Sequence, residues 1–328
     1  MVRVLVAGKI HPDGLAVLQR PDVEIAYVEE VSSPSYRSFL ADADAILIRT
    51  QPLPADYIAE APKLKIVSRH GVGFDAVDVA ALNERQIPLT VVGDVNSRAV
   101  AEHAVMLMLA AARRAVLFDR KMRDGDWNYR NSLDCDELDG RTLLIAGFGR
   151  IGQRLSQIAK ALGMDVWAYD RFQADEVLLA RGVHPVSDLR DALSRIDVIS
   201  LHVPKVGDQP LIGREELAVM KPSAILVNTA RGGLVDEIAL VEALNSGKLA
   251  GAGLDVFGDE PPLPDNPLLS CDRAILSPHN AGLTEACARR MAIAAATNIV
   301  NFFDGQLDSS LIVNQDQIQV RSGAAVGA

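Results

Sequence analysis

Gly147-Phe148-Gly149-Arg150-Ile151-Gly152 decides the fold. An apolar strand, Thr142 to Ala146, runs into this stretch and an amphipathic helix leaves it. A turn of this kind needs Gly147 for its tightness and Gly149 so that backbone N–H groups can approach a pyrophosphate. Gly152 lets helix and strand pack closely. The positive end of the helix dipole then faces the anion. A second strand, Met164 to Tyr169, ends in Asp170, 18 positions after Gly152. That is the spacing at which a carboxylate accepts hydrogen bonds from an adenosine ribose, and an acid there favours NAD over NADP.

Working outward, strand-length apolar runs alternate with helix-period segments, the pattern of βαβ units and parallel sheets. Before the glycine turn, strands are expected at Val2–Ala7, Val23–Val28, Ala45–Ile48, Leu64–Ser68 and Ile87–Val91, with helices at Pro12–Gln19 and Ala76–Arg85. After it come strands at Val198–Leu201, Ala224–Asn228, Gly253–Val256 and Ala274–Ser277. Roughly 100 residues with their own βαβ series therefore precede the fingerprint, and they call for a domain of their own. One long helix from Ser97 to about Arg123 is expected to lead into the cofactor domain, and another from Thr284 to about Asp304 to lead back. The expected organisation is a discontinuous substrate domain, 1–97 plus 286–328, around an NAD-binding Rossmann domain, 98–285. Ser322–Ala328 is small and unpatterned and is expected to be a frayed tail.

Composition narrows the function classes. The 328 residues are 49% hydrophobic, enough for two cores. With 43 acidic against 33 basic residues the net charge is −10, which opposes nucleic acid and anionic membranes as partners. Val2-Arg3-Val4-Leu5-Val6-Ala7 reads as a strand rather than a secretory leader, and the apolar run Ala104–Ala112 is too short to span a bilayer. It is expected to be a buried helix. Cys135, Cys271 and Cys287 form no CxxC pair and leave an odd cysteine over, which suits a reducing cytoplasmic setting.

Ligands of open parallel sheets sit beyond the carboxyl ends of strands. Arg231, Glu260 and His279 all follow such ends. A guanidinium at Arg231 can hold a carboxylate bidentately and polarise a carbonyl. A carboxylate paired with imidazole fixes its tautomer and makes a usable proton donor, which hydride transfer to a ketone requires. Among the other histidines, His202 follows a strand and reads as structural or as part of a cofactor loop. His103 lies inside an Ala-rich helix as a packed or hydrogen-bonded residue. His11 and His184 precede prolines in expected loops, and His70 is kept as a substrate-site candidate. No pair of them has ligand spacing for zinc.

Four stretches carry a resemblance: the glycine turn; Asn228-Thr229-Ala230-Arg231-Gly232-Gly233; Gly253-Leu254-Asp255-Val256-Phe257 with Glu260-Pro261; and Ser277-Pro278-His279. With these the chain resembles the D-2-hydroxyacid dehydrogenases, and within them the 3-phosphoglycerate dehydrogenases without added regulatory domains. The resemblance implies two Rossmann-like α/β domains with a cleft between them, dimerisation through the cofactor domain, and a small anionic 2-hydroxy or 2-keto acid as substrate. It implies that His279 is the acid/base, Glu260 its partner, and Arg231 the ligand of substrate carboxylate and carbonyl. Thr229, Ala230, Arg231, Asp255 and His279 would approach the nicotinamide end, while Arg150, Ile151 and Asp170 hold pyrophosphate and ribose. Gly71-Val72-Gly73 would cradle the substrate carboxylate with backbone amides. Arg49 and Arg69 match positions where some phosphoglycerate dehydrogenases direct arginines at the substrate phosphate. Two solvated surface arginines would read the same way. Hydroxypyruvate or glyoxylate reductases and sulfonated-hydroxyacid dehydrogenases are rival readings. NADH-sensing corepressors of the same family are a rival from another functional class.

Overall fold

The computed structural model describes residues 1–30 and 33–319, so the expected tail at 322–328 lies outside the described residues. In chain order the elements are β1 (Val2–Ala7), α1 (Pro12–Leu18), β2 (Val23–Val28), β3 (Ala45–Ile48), α2 (Ala55–Ala59), β4 (Ile66–Arg69), α3 (Val79–Glu84) and β5 (Leu89–Thr90). There follow α4 (Ser97–Ala112), α5 (Ala115–Arg123), β6 (Thr142–Ala146), α6 (Arg150–Ala161), β7 (Asp165–Tyr169), α7 (Asp175–Leu179), β8 (His184–Pro185), α8 (Leu189–Leu193) and β9 (Val198–Leu201). The last are α9 (Arg214–Val219), β10 (Ile225–Asn228), α10 (Glu237–Asn245), β11 (Gly251–Leu254), β12 (Ala274–Leu276) and α11 (Glu285–Phe303). Contacts divide the chain into Met1–Asn96 with the residues from Leu283 onward, and Ser97–Gly282.

The first unit is a parallel sheet in the order β2-β1-β3-β4-β5. Strand β3 is buried at every position, as a sheet covered on both faces requires. Helix α11 closes one face against α1, and a Cβ at Gly14 would lie 2.6 Å from that of Ala292, so only glycine admits this approach. The α11 helix begins at a Thr284 cap, whose hydroxyl accepts from Cys287 N at 3.2 Å. Strand β5 is shorter than the expected Ile87–Val91 because its outer edge turns to residues 311–313, with Val91 N donating to Leu311 O and Val313 N to Leu89 O. His11 caps α1, its Nδ1 accepting from Asp13 N at 3.1 Å, with Pro12 entering the helix behind it.

The second unit is a seven-stranded parallel sheet in the order β12-β11-β10-β9-β6-β7-β8. The chain winds from β6 to one side, then crosses to β9 on the other, so the order reverses between β6 and β9. That reversal opens a crevice at their carboxyl ends. Four expectations need correction. The single helix over Ser97–Arg123 is two helices, because Arg114 takes a left-handed backbone, φ 47°, between α4 and α5. The Ala104–Ala112 run buries one face only: Leu107 and Met108 are inside, while Met106 is 44% exposed. His184 is not in a loop but pairs with Trp167 as part of the edge strand β8. The expected strand at Gly253–Val256 starts and ends two residues earlier, and its glycines have a packing cause. A Cβ at Gly253 would fall 2.6 Å from that of Leu107, so α4 lies directly on β11. Among the described residues no helix is long and apolar enough to cross a membrane.

Candidate active site

The glycine turn sits where β6 meets α6. Gly147 has φ +99°, and a Cβ there would be 2.5 Å from His202 O; one at Gly152 would be 2.3 Å from Gly147 O. Both close approaches admit only glycine. Gly149 differs, since a Cβ on it would meet nothing within 4 Å. It is the N-cap of α6 and brings no side chain to cap the helix, so the first-turn amides of Arg150 and Ile151 receive no acceptor from the cap. Asp170 holds the turn from the next strand end: Oδ2 accepts from Phe148 N at 2.7 Å, and Oδ1 from Phe172 N at 2.8 Å and Gln173 N at 3.2 Å. Its carboxylate thus shapes the phosphate cradle, a duty the spacing rule did not disclose.

Across the reversal, His202 is half-buried, with Nε2 2.9 Å from Ser200 Oγ and an enclosed Nδ1 without a partner among the described residues. Burial pushes its pKa down to about 3, so it is neutral near pH 7 and is no proton donor. The hydroxyl of Thr229 is likewise buried without a partner. Two orphaned polar groups beside the glycine turn and the β10 end fit a ligand with polar groups of its own.

Asn228 clamps the β10 end, with Oδ1 accepting from Ala230 N at 3.0 Å and Nδ2 donating to Arg231 O at 2.9 Å. Arg231, half-buried, donates from Nη1 to Ala230 O at 2.6 Å. The turn then packs on the β11 loop so tightly that a Cβ at Gly232 would be 1.6 Å from Phe257 O. That loop carries Glu260, whose Oε1 accepts from Phe257 N at 3.1 Å. Its Oε2 lies 2.6 Å from His279 Nδ1. Burial raises the Glu260 pKa, but the His279 hydrogen bond and charge, the Phe257 amide and the Arg231 charge outweigh it and hold the group below its ordinary value. The carboxylate is therefore ionised near pH 7 and can only accept, so His279 Nδ1 carries the proton of this hydrogen bond. Nε2 is left as the position that can exchange a proton with a ligand. His279 is half-exposed and takes a left-handed backbone, φ 48°, a conformation that a side-chain-bearing residue keeps only when its surroundings hold it there.

Several supporting residues had no local signal. Glu237, at the start of α10, accepts from Gly258 N at 2.6 Å and from Asn266 Nδ2 at 2.9 Å, propping the loop that bears Glu260. Asp255 is fully buried, and its oxygens accept from Ser277 Oγ at 2.6 Å and from Asn280 N and Ala281 N at 2.9 Å each. The resemblance directs Asp255 toward nicotinamide; in the structure its carboxylate is engaged with the 277–281 turn.

In this setting the comparisons with known proteins are decisive. Residues 105–281 match the model of the D-isomer specific 2-hydroxyacid dehydrogenase NAD-binding domain. The chain belongs to the D-2-hydroxyacid dehydrogenase family. The second unit is thus an NAD-binding domain of that family, and the glycine turn, the uncapped helix end and Asp170 suit it to the group. A D-3-phosphoglycerate dehydrogenase of Methanocaldococcus jannaschii is 39% identical over 95% of this chain, which spans only 59% of that relative's length. A glyoxylate reductase of Korarchaeum cryptofilum is 38% identical over 97% of this chain and 98% of its own. A D-lactate dehydrogenase from Aquifex aeolicus, solved with NAD and lactic acid, matches 94% of this chain and 98% of its own with a TM-score of 0.85 at 29% identity.

In the first unit, Arg49 follows β3 and Arg69 ends β4, with Ile48 and Arg69 in register. Arg49 donates to Lys9 O at 3.2 Å, and burial lowers its pKa. Arg69 Nη1 donates to His70 O at 3.1 Å and rests on Gly71, where a Cβ would be 3.4 Å away. His70, next in the chain, is 5% exposed, with neither ring nitrogen hydrogen-bonded among the described residues. Burial first, then the charges of Arg49 and Arg69, push its pKa down to about 4. The two arginines are therefore not scattered surface charges; they share one electrostatic neighbourhood beside Gly71-Val72-Gly73.

Proposed function

We propose that the protein is an NAD-dependent dehydrogenase that interconverts a small 2-hydroxy acid and its 2-keto acid. One observation carries the reading: an imidazole locked by an ionised carboxylate at 2.6 Å, its other nitrogen outward, in the same unit as a family NAD-binding turn. NAD, when bound, supplies the hydride acceptor, and in reduced form the donor. Gly147, Gly149, Arg150, Ile151, Gly152 and Asp170 hold its pyrophosphate and ribose, while Thr229, Ala230, Arg231, Asp255 and His279 line the reacting end. In the reductive direction His279 Nε2 delivers a proton to the substrate oxygen as Glu260 stabilises the ring's charge. Arg231 grips the substrate carboxylate and offsets charge developing on the carbonyl oxygen.

The first unit is the substrate domain in this reading. Arg49 and Arg69 take a second anionic group, and the amides of Gly71-Val72-Gly73 take the carboxylate. A doubly anionic acid, with 3-phosphoglycerate as the leading candidate, follows from that cationic neighbourhood in a chain of net charge −10. Near full-length likeness to a glyoxylate reductase favours a second reading, reduction of glyoxylate or hydroxypyruvate. A panel of 2-keto acids with and without a terminal phosphate or sulfonate, followed by NADH absorbance, separates them. Activity on none of them would refute the proposal. The working form is expected to be a cytoplasmic homodimer, which light scattering on the purified protein tests for stoichiometry.

A further inference from the structure

His279 keeps a left-handed backbone, and Asp255 is what holds it there. The amide of His279 donates to Asp255 O at 2.8 Å, and the next two amides, Asn280 and Ala281, donate to the Asp255 carboxylate at 2.9 Å each. Three consecutive N–H groups thus converge on one residue, and the turn they define aims the His279 ring at Glu260. A fully buried carboxylate can do this only if its own position is fixed and its oxygens are satisfied.

Ser277 supplies part of that. A hydroxyl has one proton to give, and the 2.6 Å contact with Asp255 Oδ1 takes it. What remains on Ser277 Oγ are acceptor lone pairs, so the 2.9 Å contact with His103 Nε2 must be a hydrogen bond donated by His103. The direction of the chain is then set: His103 Nε2–H to Ser277, Ser277 O–H to Asp255, and Asp255 to the 279–281 turn. His103 sits in α4, and its side chain is 15% exposed. Its helix neighbours Ala101, Ala104 and Leu107 are all buried. An apolar residue would pack there without any need for a partner. Nε2 also lies 3.5 Å from Asp255 Oδ1, beyond normal hydrogen-bond length, so Ser277 Oγ at 2.9 Å takes its proton.

We propose that His103 is a positioning residue: through Ser277 it fixes Asp255, and through Asp255 the backbone of His279, so that the His279 ring stays hydrogen-bonded to Glu260. The inference rests on the dehydrogenase reading for its kinetic consequence, but not for its structural one.

The experiment uses the intact protein with ¹⁵N-labelled histidine, of which the chain has six, and His279→Ala assigns the resonance of interest. In the wild type above neutral pH, long-range ¹H–¹⁵N spectra are expected to find His279 in a single tautomer, protonated at Nδ1. His103→Leu and Ser277→Ala are expected to average that pattern between tautomers. They should also lower kcat for 2-keto acid reduction by about 10- to 100-fold, the scale of a small misplacement of a reacting group, while KM for NADH stays within about twofold. His103→Gln, whose amide nitrogen can donate in place of Nε2, is expected to restore both. Should His103→Leu prove poorly folded, Ser277→Ala against Ser277→Thr makes the same comparison. A wild-type tautomer pattern and kcat in both loss variants would overturn the proposal, as would a folded His103→Gln as impaired as His103→Leu. If the wild type turned over no 2-keto acid, the dehydrogenase reading would fail, and the tautomer pattern alone would still decide the role of His103.

Discussion

At the ends of β11 and β12, Asp255, Ser277, Glu260 and His279 satisfy one another through hydrogen bonds of 2.6 to 2.9 Å. At the ends of β3 and β4, burial first and then the charges of Arg49 and Arg69 depress the pKa of the His70 imidazole, whose two nitrogens meet no partner among the described residues. The same topological position in two parallel sheets thus holds a carboxylate-imidazole network in one unit and a buried imidazole beside two arginines in the other. The difference follows from what each must do. A proton donor works best when its orientation is settled before the ligand arrives, because reorganisation then adds nothing to the barrier. In the proposed function, two guanidinium groups close together favour a doubly charged ligand over a singly charged one.

Breaking the carboxylate-imidazole network should have the largest effect. His279→Ala is expected to lower kcat by about 10² to 10⁴-fold, the usual contribution of a positioned acid or base. NADH affinity, read by fluorescence titration, should be little changed. Glu260→Gln should lose less, since an amide can still orient the ring. The Glu260 carboxylate is held below its ordinary 4.5, so its pairing is intact above that pH and lost as the pH falls through the lower folded value. The gap between wild type and Glu260→Gln should therefore narrow only below about pH 4.5 in a kcat profile. A gap that closes near neutrality would mean that the carboxylate is not the ring's ionised partner.

The arginine pair should answer more selectively. Arg49→Ala or Arg69→Ala is expected to raise KM for a phosphorylated or sulfonated 2-keto acid by roughly 10- to 150-fold, corresponding to about 1.5–3 kcal/mol for a charge-assisted hydrogen bond. A short monoanion such as glyoxylate should be affected far less. Equal losses on both would make the arginines structural and dissolve the contrast between the units.

His70 offers a test that needs no substrate. Unfolded, it takes up a proton near its ordinary 6.5; folded, only near 4. The folded state therefore loses stability as the pH drops through that window, by about 2 kcal/mol at pH 5 for a shift of this size. Urea unfolding at pH 7 and pH 5 should show a smaller decline in His70→Gln than in the wild type. A bound phosphate or sulfate at the arginines should also shrink the decline, by offsetting the arginine charges that add to burial in lowering the His70 pKa. An unchanged pH slope in the variant would contradict the assignment.

The smallest effect is expected at Asp170. Its carboxylate disfavours a 2′-phosphate, so Asp170→Ser should narrow the preference for NADH over NADPH, mainly through cofactor KM. Because the same oxygens hold Phe148 N, Phe172 N and Gln173 N, part of the change should appear as weaker binding of both cofactors. Wild-type NADH preference in this variant would place cofactor choice elsewhere.

Much of the fold could be read before any coordinates, because its signals are local. Strands β1, β2, β3, β6 and β9 lie where apolar runs place them, and α11 fills the helix expected from Thr284 to about Asp304. The failures are local signals overruled by packing. A helix pattern continuous through Arg113 and Arg114 breaks where the backbone turns left-handed. Strand β5 is shortened by a partner more than 200 positions away in the chain, Leu311. Arg231, Glu260 and His279 could be nominated because each follows a strand end. That Glu260 meets Nδ1 of His279 could not be.

What the sequence determined alone is what depends on a residue and its near neighbours: glycines where a turn needs them, a cap before a helix, an acid at the end of the second strand. Only the tertiary structure decided which of those residues serve one another. His103 and Ser277 are 174 positions apart, and Asp255 reaches the 280 and 281 amides from a neighbouring strand end. Such contacts hang on the register of β11 against β12 and on how closely α4 lies over the glycines of β11. Sheet register and helix–sheet distance are properties of the packed core as a whole, so no window of sequence contains them.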